Sequence, residues 1–168
     1  WQVLGQQVLM GRMNIPAPIL IETIQPGAGV TVSQYAAIVA KAQTAPATLT
    51  AAEKAILAQP SIPYNLDAWD GYQAARETVL GTARSLGKNL VVLSGDTHNA
   101  WANELADMGG NAVGVEFATS SVSSPGFEEY LPKENPAMLA GALQQLIAPL
   151  KYCDTSSRGY MLVTANAS

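Results

Sequence analysis

The residue types best suited to chemistry in this chain stand together in Ser94-Gly95-Asp96-Thr97-His98-Asn99. The segment directly follows the apolar run Leu90-Val91-Val92-Leu93. The C-terminal end of such a strand is where α/β folds place ligands. In an extended segment residues two apart point the same way, so Asp96 and His98 are expected to converge, with Gly95 letting the backbone turn. A carboxylate oxygen beside an imidazole nitrogen makes a partial shell for a first-row transition metal. The same residues also fit a plain tight turn, in which His98 hydrogen-bonds Asp96 and no metal binds.

The elements that would position this segment can be read on either side of it. Asp70 to Leu86 reads as a helix, with Asp70 as its cap, an apolar stripe through Ala75, Val79 and Leu86, and Gly87 for the left-handed turn that ends it. Asn89 to Gly95 follows as a strand without polar alternation, the pattern of a strand covered on both faces. Trp101 to Leu105 and Val113 to Thr119 are further strands, and Gly159 to Thr164 reads as a last one. Pro136 to Leu150 reads as a helix with Asn135 before it and proline at its first position. Trp1 to Met10 reads as a strand and its exit loop.

Residues 14–63 have a different character: rich in Ala, Thr, Pro and Gln, with helices expected over Ser33 to Gln43 and after Thr50, where Glu53 completes a capping box. This stretch reads as an insertion-like helical excursion, peripheral rather than core. The fold class expected is α/β.

Composition narrows the function. Apolar residues are 48% of the 168 and charged residues 13%, about half the usual 25% or so. A chain so poor in charge must bury most of itself, in its own core or against a partner. Its apolar runs are far too short to span a bilayer. Nine Lys and Arg against thirteen Asp and Glu cannot form the basic surface that a duplex requires, so neither nucleic acid nor membrane is expected as a partner. The single cysteine, Cys153, excludes an intramolecular disulfide and a Cys-based zinc cluster, and reads as a small buried residue. The start at Trp1, without an initiator Met, reads as a mature or clipped piece.

Other residues have two readings each. Asp70 could be a ligand rather than a cap, and Arg76 could reach a phosphate or sit in a surface salt bridge. Trp69, Tyr72 and Trp101 could wall a pocket or fill the core. Thr119 to Ser124 is rich in hydroxyls but has no Gly-x-Ser-x-Gly elbow, so it reads as a polar loop closed by Pro125-Gly126. Asp154 and Arg158 could pair across a loop of small residues or lie at the mouth of a site.

The order of several blocks carries a resemblance. Trp1 to Gln7, Trp69-Asp70-Gly71-Tyr72 with Arg76, Val91 to His98 with Trp101, Val115-Glu116-Phe117 with Ser121 to Gly126, and Asp154 with Arg158-Gly159-Tyr160 together resemble PhoD-type alkaline phosphatases of the metallophosphoesterase superfamily. The likeness covers residues 1–13 and roughly 64–164, the C-terminal part of such a protein. It implies half of a metallophosphatase-type β-sandwich flanked by helices, and metal-dependent hydrolysis of phosphate esters. By position, it implies Asp96 and His98 as metal ligands, with His98 also catalytic, facing the phosphoryl group. It further implies a polynuclear centre of iron with calcium, and export to the periplasm or beyond. The family's other metal-binding blocks, including a cysteine ligand, are absent, and Cys153 is not that cysteine. A metal ion takes about three protein ligands, and this chain has one histidine. The chain is therefore expected to be inactive alone and to need the missing N-terminal half, or a second copy, against an exposed apolar sheet face. The alternative is a non-catalytic binding or structural module with a hydrogen-bonded Asp-Thr-His turn.

Overall fold

A computed structural model describes residues 1–166. Five strands form one mixed sheet: β1 (Gln2–Gly5), β4 (Leu90–Ser94), β5 (Ala100–Ala106), β6 (Ala112–Ala118) and β7 (Leu150–Asp154), in the spatial order β1-β4-β6-β5-β7. The pairs β1–β4 and β4–β6 are parallel, whereas β5 runs antiparallel to both β6 and β7. A small antiparallel ribbon joins β2 (Asn14–Pro16) to β3 (Ser61–Pro63).

Alternation along the strands divides the sheet into two unlike faces. One carries Val92, Trp101, Leu105, Ala118 and Cys153, all buried. Helices α4 (Gln73–Ser85) and α6 (Pro136–Leu146) cover it, giving one apolar cluster around Leu80, Leu90 and Val92 and another around Trp101, Leu139 and Leu143. The opposite face carries Val3, Leu93, Val115, Phe117 and Tyr152 in register. Val3, Val115 and Tyr152 there are 59%, 36% and 53% exposed. The expectation that β4 is covered on both faces holds only in part: on the open side Val91 is buried, but Leu93 is only half-buried.

Both helices end as their residues dictate. Asn135 Oδ1 accepts from the backbone N–H groups of Ala137 and Met138, and Pro136 occupies the first position of α6. The helix stops at Leu146, because Leu150 already belongs to β7. Gly87, at φ +61°, closes α4 with the Lys88 N–H bonded to the Ala83 carbonyl, the expected left-handed ending. The start of α4 departs from expectation. Trp69–Gly71 forms a separate 3-10 turn, Tyr72 precedes the helix, and no side chain caps it. Asp70 is instead buried and accepts the Met13 N–H at 2.8 Å.

Residues 14–63 are helical as expected, in α2 (Val32–Thr44) and α3 (Ala51–Leu57), with α1 (Ala17–Ile24) in addition. Helix α1 escaped the sequence reading because Pro16 and Pro18 look like punctuation, yet proline is tolerated at a helix's first turn. The stretch is not outside the core: Ile15, Ile19, Val32 and Tyr35 join the cluster around Trp101 and Leu139. The strand expected over Gly159 to Thr164 does not form; the last strand is β7. No helix among the described residues is long and apolar enough to cross a membrane.

Candidate functional site

Strands β1, β4, β6 and β7 end, and β5 begins, at the same end of the sheet. Their loops gather there, so the segment after β4 is held from several directions. Gly95 N–H bonds to the Gln7 carbonyl at 3.1 Å, Thr119 N–H to Ser94 at 3.0 Å, and Ser121 N–H to His98 at 3.4 Å. Gly159 N–H adds a bond to Ser121 at 3.1 Å, drawing in the closing segment.

The turn itself is not extended. Asp96 and His98 both adopt left-handed backbone angles, φ 66° and 61°, and they rather than Gly95 bend the chain. Such angles are uncommon outside glycine and persist where the surroundings over-determine them. Here the residues between and after them supply that constraint. Thr97 Oγ1 accepts from the buried Trp101 indole at 2.6 Å, and Asn99 Nδ2 donates to the Thr97 carbonyl at 2.6 Å. Asn99 Oδ1 in turn accepts the Phe127 N–H at 3.0 Å.

His98 does not bond Asp96. Its Nδ1 lies 2.9 Å from the Pro125 carbonyl oxygen, an acceptor only, so Nδ1 donates in this bond while Nε2 has no hydrogen-bond partner among the described residues. A backbone carbonyl behind one ring nitrogen is the arrangement by which metal-binding histidines are oriented. The Asp96 carboxylate is exposed and has no hydrogen-bond partner among the described side chains. It borders a small cleft with Leu9, Met13, Tyr64 and Asp70. The Tyr64 phenol is raised above its ordinary value by burial first, then by the Asp96 and Tyr130 charges, and stays a proton donor. The donor set thus fits part of a metal shell: one free imidazole nitrogen and one free carboxylate. No group of three or more His, Cys, Asp and Glu able to hold a metal forms among the described residues.

Pro125 is placed by its own neighbours. A side chain at Gly126 would meet Asn99 Oδ1 at 2.6 Å and the Thr155 carbonyl at 3.0 Å, so only glycine lets this segment lie so close. Glu128 N–H bonds to the Thr155 carbonyl at 3.3 Å, and its carboxylate pairs with Arg158 at 2.5 Å. That pairing corrects the reading of Arg158 against Asp154, whose carboxylate accepts the Ser156 and Ser157 N–H groups instead.

Arg76 does form an ion pair, with Glu77 at 2.9 Å, but it is corrected as a surface residue, being 2% exposed. Its Nε donates to the Met10 carbonyl at 2.8 Å and its Nη1 to Glu77 and Ala106. Trp101 is core, Trp69 is half-buried against Gln6, and Tyr72 is exposed.

The residue that sequence reasoning undervalued is Glu116. Fully buried in β6, its carboxyl accepts from Met10 N–H and Gly11 N–H at 2.7 Å each, from Ser94 Oγ at 3.0 Å and from Asn103 Nδ2 at 3.1 Å. It ties the exit loop of β1 to the end of β4, beneath the turn. A lone glutamate in the otherwise apolar run Val113 to Ala118 was the available signal.

Comparison with known proteins places this arrangement in a family. A model of the PhoD-like phosphatase family matches residues 1–168. Alkaline phosphatase D of Bacillus subtilis (strain 168) is 36% identical over 85 aligned residues, covering 44% of this chain and 15% of that protein. A solved structure described as "Structure of PhoD" superposes over 95% of this chain and 23% of its own, at 22% identity and a TM-score of 0.54; that likeness speaks for the fold alone. The chain spans less than a quarter of the length of either relative. With its mixed α/β sheet and its late Gly-Asp-Thr-His turn, the chain belongs to the PhoD-like phosphatase family.

Proposed function

We propose that this chain is the C-terminal part of a metal-dependent phosphate ester hydrolase and supplies Asp96 and His98 to its metal centre. The observation that carries this reading is the His98 ring, fixed through Nδ1 to the Pro125 carbonyl with Nε2 left free, beside an unpartnered Asp96 carboxylate at the tip of a central strand. Bound metal would polarise phosphoryl oxygens and lower the pKa of water. The residues of this chain orient: Pro125 sets the ring, Asn99 and Thr97 set the turn, and Glu116 holds the floor beneath it. His98 also faces the phosphoryl group. Iron with calcium is the metal pair that the family resemblance supports.

The remaining ligands belong to the missing N-terminal half of the same protein, or to a second copy, and the isolated chain is inactive. The solvent-exposed apolar face of the sheet supports this, since Val3, Val115 and Tyr152 offer a surface for a second sheet to bury. Residues 14–63 are an insertion within the family pattern, and the protein is exported; both statements rest on the resemblance.

The test is the full-length protein carrying this segment, assayed for phosphate release from an aryl phosphate and for metal content. His98→Ala is expected to lower turnover by about 100-fold or more and to reduce bound metal, with thermal stability little changed. Unchanged turnover would remove His98 from the mechanism. A fully folded wild-type protein that retains no metal would favour the plain hydrogen-bonded turn.

A further inference from the structure

Beside the turn lies a cavity of about 360 Å³ whose lining bears no charged side chain. Its deep walls are Ile15, Ile19, Val32, Leu139 and Leu143, all buried in the core. Phe127 and Tyr64 form one side, edge to face with ring centroids 5.6 Å apart. A second cavity of about 220 Å³ shares Ile19, Thr23, Val32, Tyr130 and Leu131 with the first and runs on to Pro26 and Val30. Charged residues, Glu22, Lys133 and Glu134, line only this far part. The two make one elongated apolar groove, and the larger cavity alone falls within the roughly 300–1,000 Å³ of small-molecule sites.

The near end decides what the groove is for. It is formed by Thr97, the residue between Asp96 and His98, and by Tyr64, which also borders the cleft of Asp96. Through these two shared residues the near end of the groove lies alongside the cleft of Asp96, although neither Asp96 nor His98 lines the groove itself. The Tyr64 hydroxyl, on a residue that lines both the groove and the Asp96 cleft, has no hydrogen-bond partner among the described residues. It is a donor at the junction between an apolar channel and the anion-handling turn.

We propose that this groove binds an alkyl chain esterified to the phosphate, so that the enzyme prefers esters carrying an extended apolar group. The proposal rests on the assignment of Asp96 and His98 to the reacting centre. Residues 15–32, part of the segment outside the family blocks, would then build substrate selectivity. Full burial of one methylene is worth about fourfold in binding, so even a half-open groove discriminates over several carbons.

The experiment uses the metal-loaded full-length protein and the methyl, butyl and octyl esters of p-nitrophenyl phosphate, below their micelle concentrations. The expected result is a rise in kcat/KM of at least about tenfold from methyl to octyl. Thr23→Trp, at an exposed position on the rim shared by both cavities, should fill the groove and flatten the series while methyl ester turnover stays within about twofold. Calorimetric titration with octylphosphonate and methylphosphonate gives a readout independent of turnover, with the octyl compound binding tighter to the wild type and equally to Thr23→Trp. Equal kcat/KM across the series would overturn the groove proposal and leave the phosphoesterase reading standing. A folded, metal-loaded protein that hydrolyses neither these diesters nor p-nitrophenyl phosphate itself would sink the phosphoesterase reading, and the phosphonate pair would still decide the groove.

Discussion

The loop end of the sheet and the helical stretch 14–63 draw on different mixes of contact. In the helices the polar contacts are mostly local, apart from Glu134, which accepts the Val32 N–H at 2.7 Å, while the apolar residues join the shared core. Thr31 and Gln34 form a reciprocal capping box, Thr50 and Glu53 form a second, and Lys41 bridges to Glu53 at 2.8 Å. At the sheet end the partners come from far along the chain: Met10 with Glu116, His98 with Pro125, Phe127 with Asn99, Glu128 with Arg158. Distant contacts can hold two left-handed residues in place, a geometry that local preference alone would not select.

The comparison is broken most severely at Glu116. Glu116→Ala leaves two backbone N–H groups and the side chains of Ser94 and Asn103 without their acceptor, and should destabilise the fold by about 3–5 kcal/mol, measured by denaturant unfolding. A loss below about 1 kcal/mol would mean the network is not a support. In the helical stretch, Thr50→Ala removes one cap from a helix that has no fully buried residue. It should cost about 1 kcal/mol, seen as faster amide exchange confined to residues 51–57. Exchange spreading to the sheet would show that the two regions are not separable.

Asp96→Gly sharpens the contrast from the other side. Glycine adopts φ 66° without strain, so the variant should gain up to about 1 kcal/mol of stability while losing activity in the full-length protein. Parallel loss of both would show that Asp96 also stabilises the turn. At Cys153, burial first and then the Asp154 charge push the thiol up to about 12 from 9.0. The folded state thus holds this proton more tightly than the unfolded chain. Its contribution to stability is complete below about pH 9 and is lost as the pH rises towards 12. A disulfide-exchange reagent at about pH 8 should therefore label Cys153 only on unfolding; rapid labelling of the folded protein would contradict this burial.

Local signals made much of the molecule legible in advance. The run Leu90 to Leu93, Asn135 before Pro136, Gly87 and Thr50 with Glu53 each act within a few residues, so the strand, the helix start, the left-handed ending and the capping box are where local preference puts them. Asp96 and His98 were equally visible as residue types with ligand chemistry. Their backbone geometry was not, because alternation in an extended strand says nothing of two left-handed residues enforced by Trp101, Asn99 and Pro125. Asp70 shows the same limit: its spacing suits a cap, yet the Met13 N–H, 57 residues away, claims its carboxylate.

From residue types and short spacings alone, then, came the α/β class, the strands β4, β5 and β6 in chain order, and two side chains of ligand type, Asp96 and His98; β7 is not among them, since the spacing reads Leu150 into the helix that begins at Pro136. Only folding decided which nitrogen of His98 stays free, that Arg76 and Glu116 are buried supports, and that Ile15, Ile19 and Val32 form a groove beside the turn. The physical reason is range. Propensities, caps and periodicities act over one or two turns, whereas the orientation of a side chain in a site is set by whichever distant backbone group satisfies its hydrogen bonds.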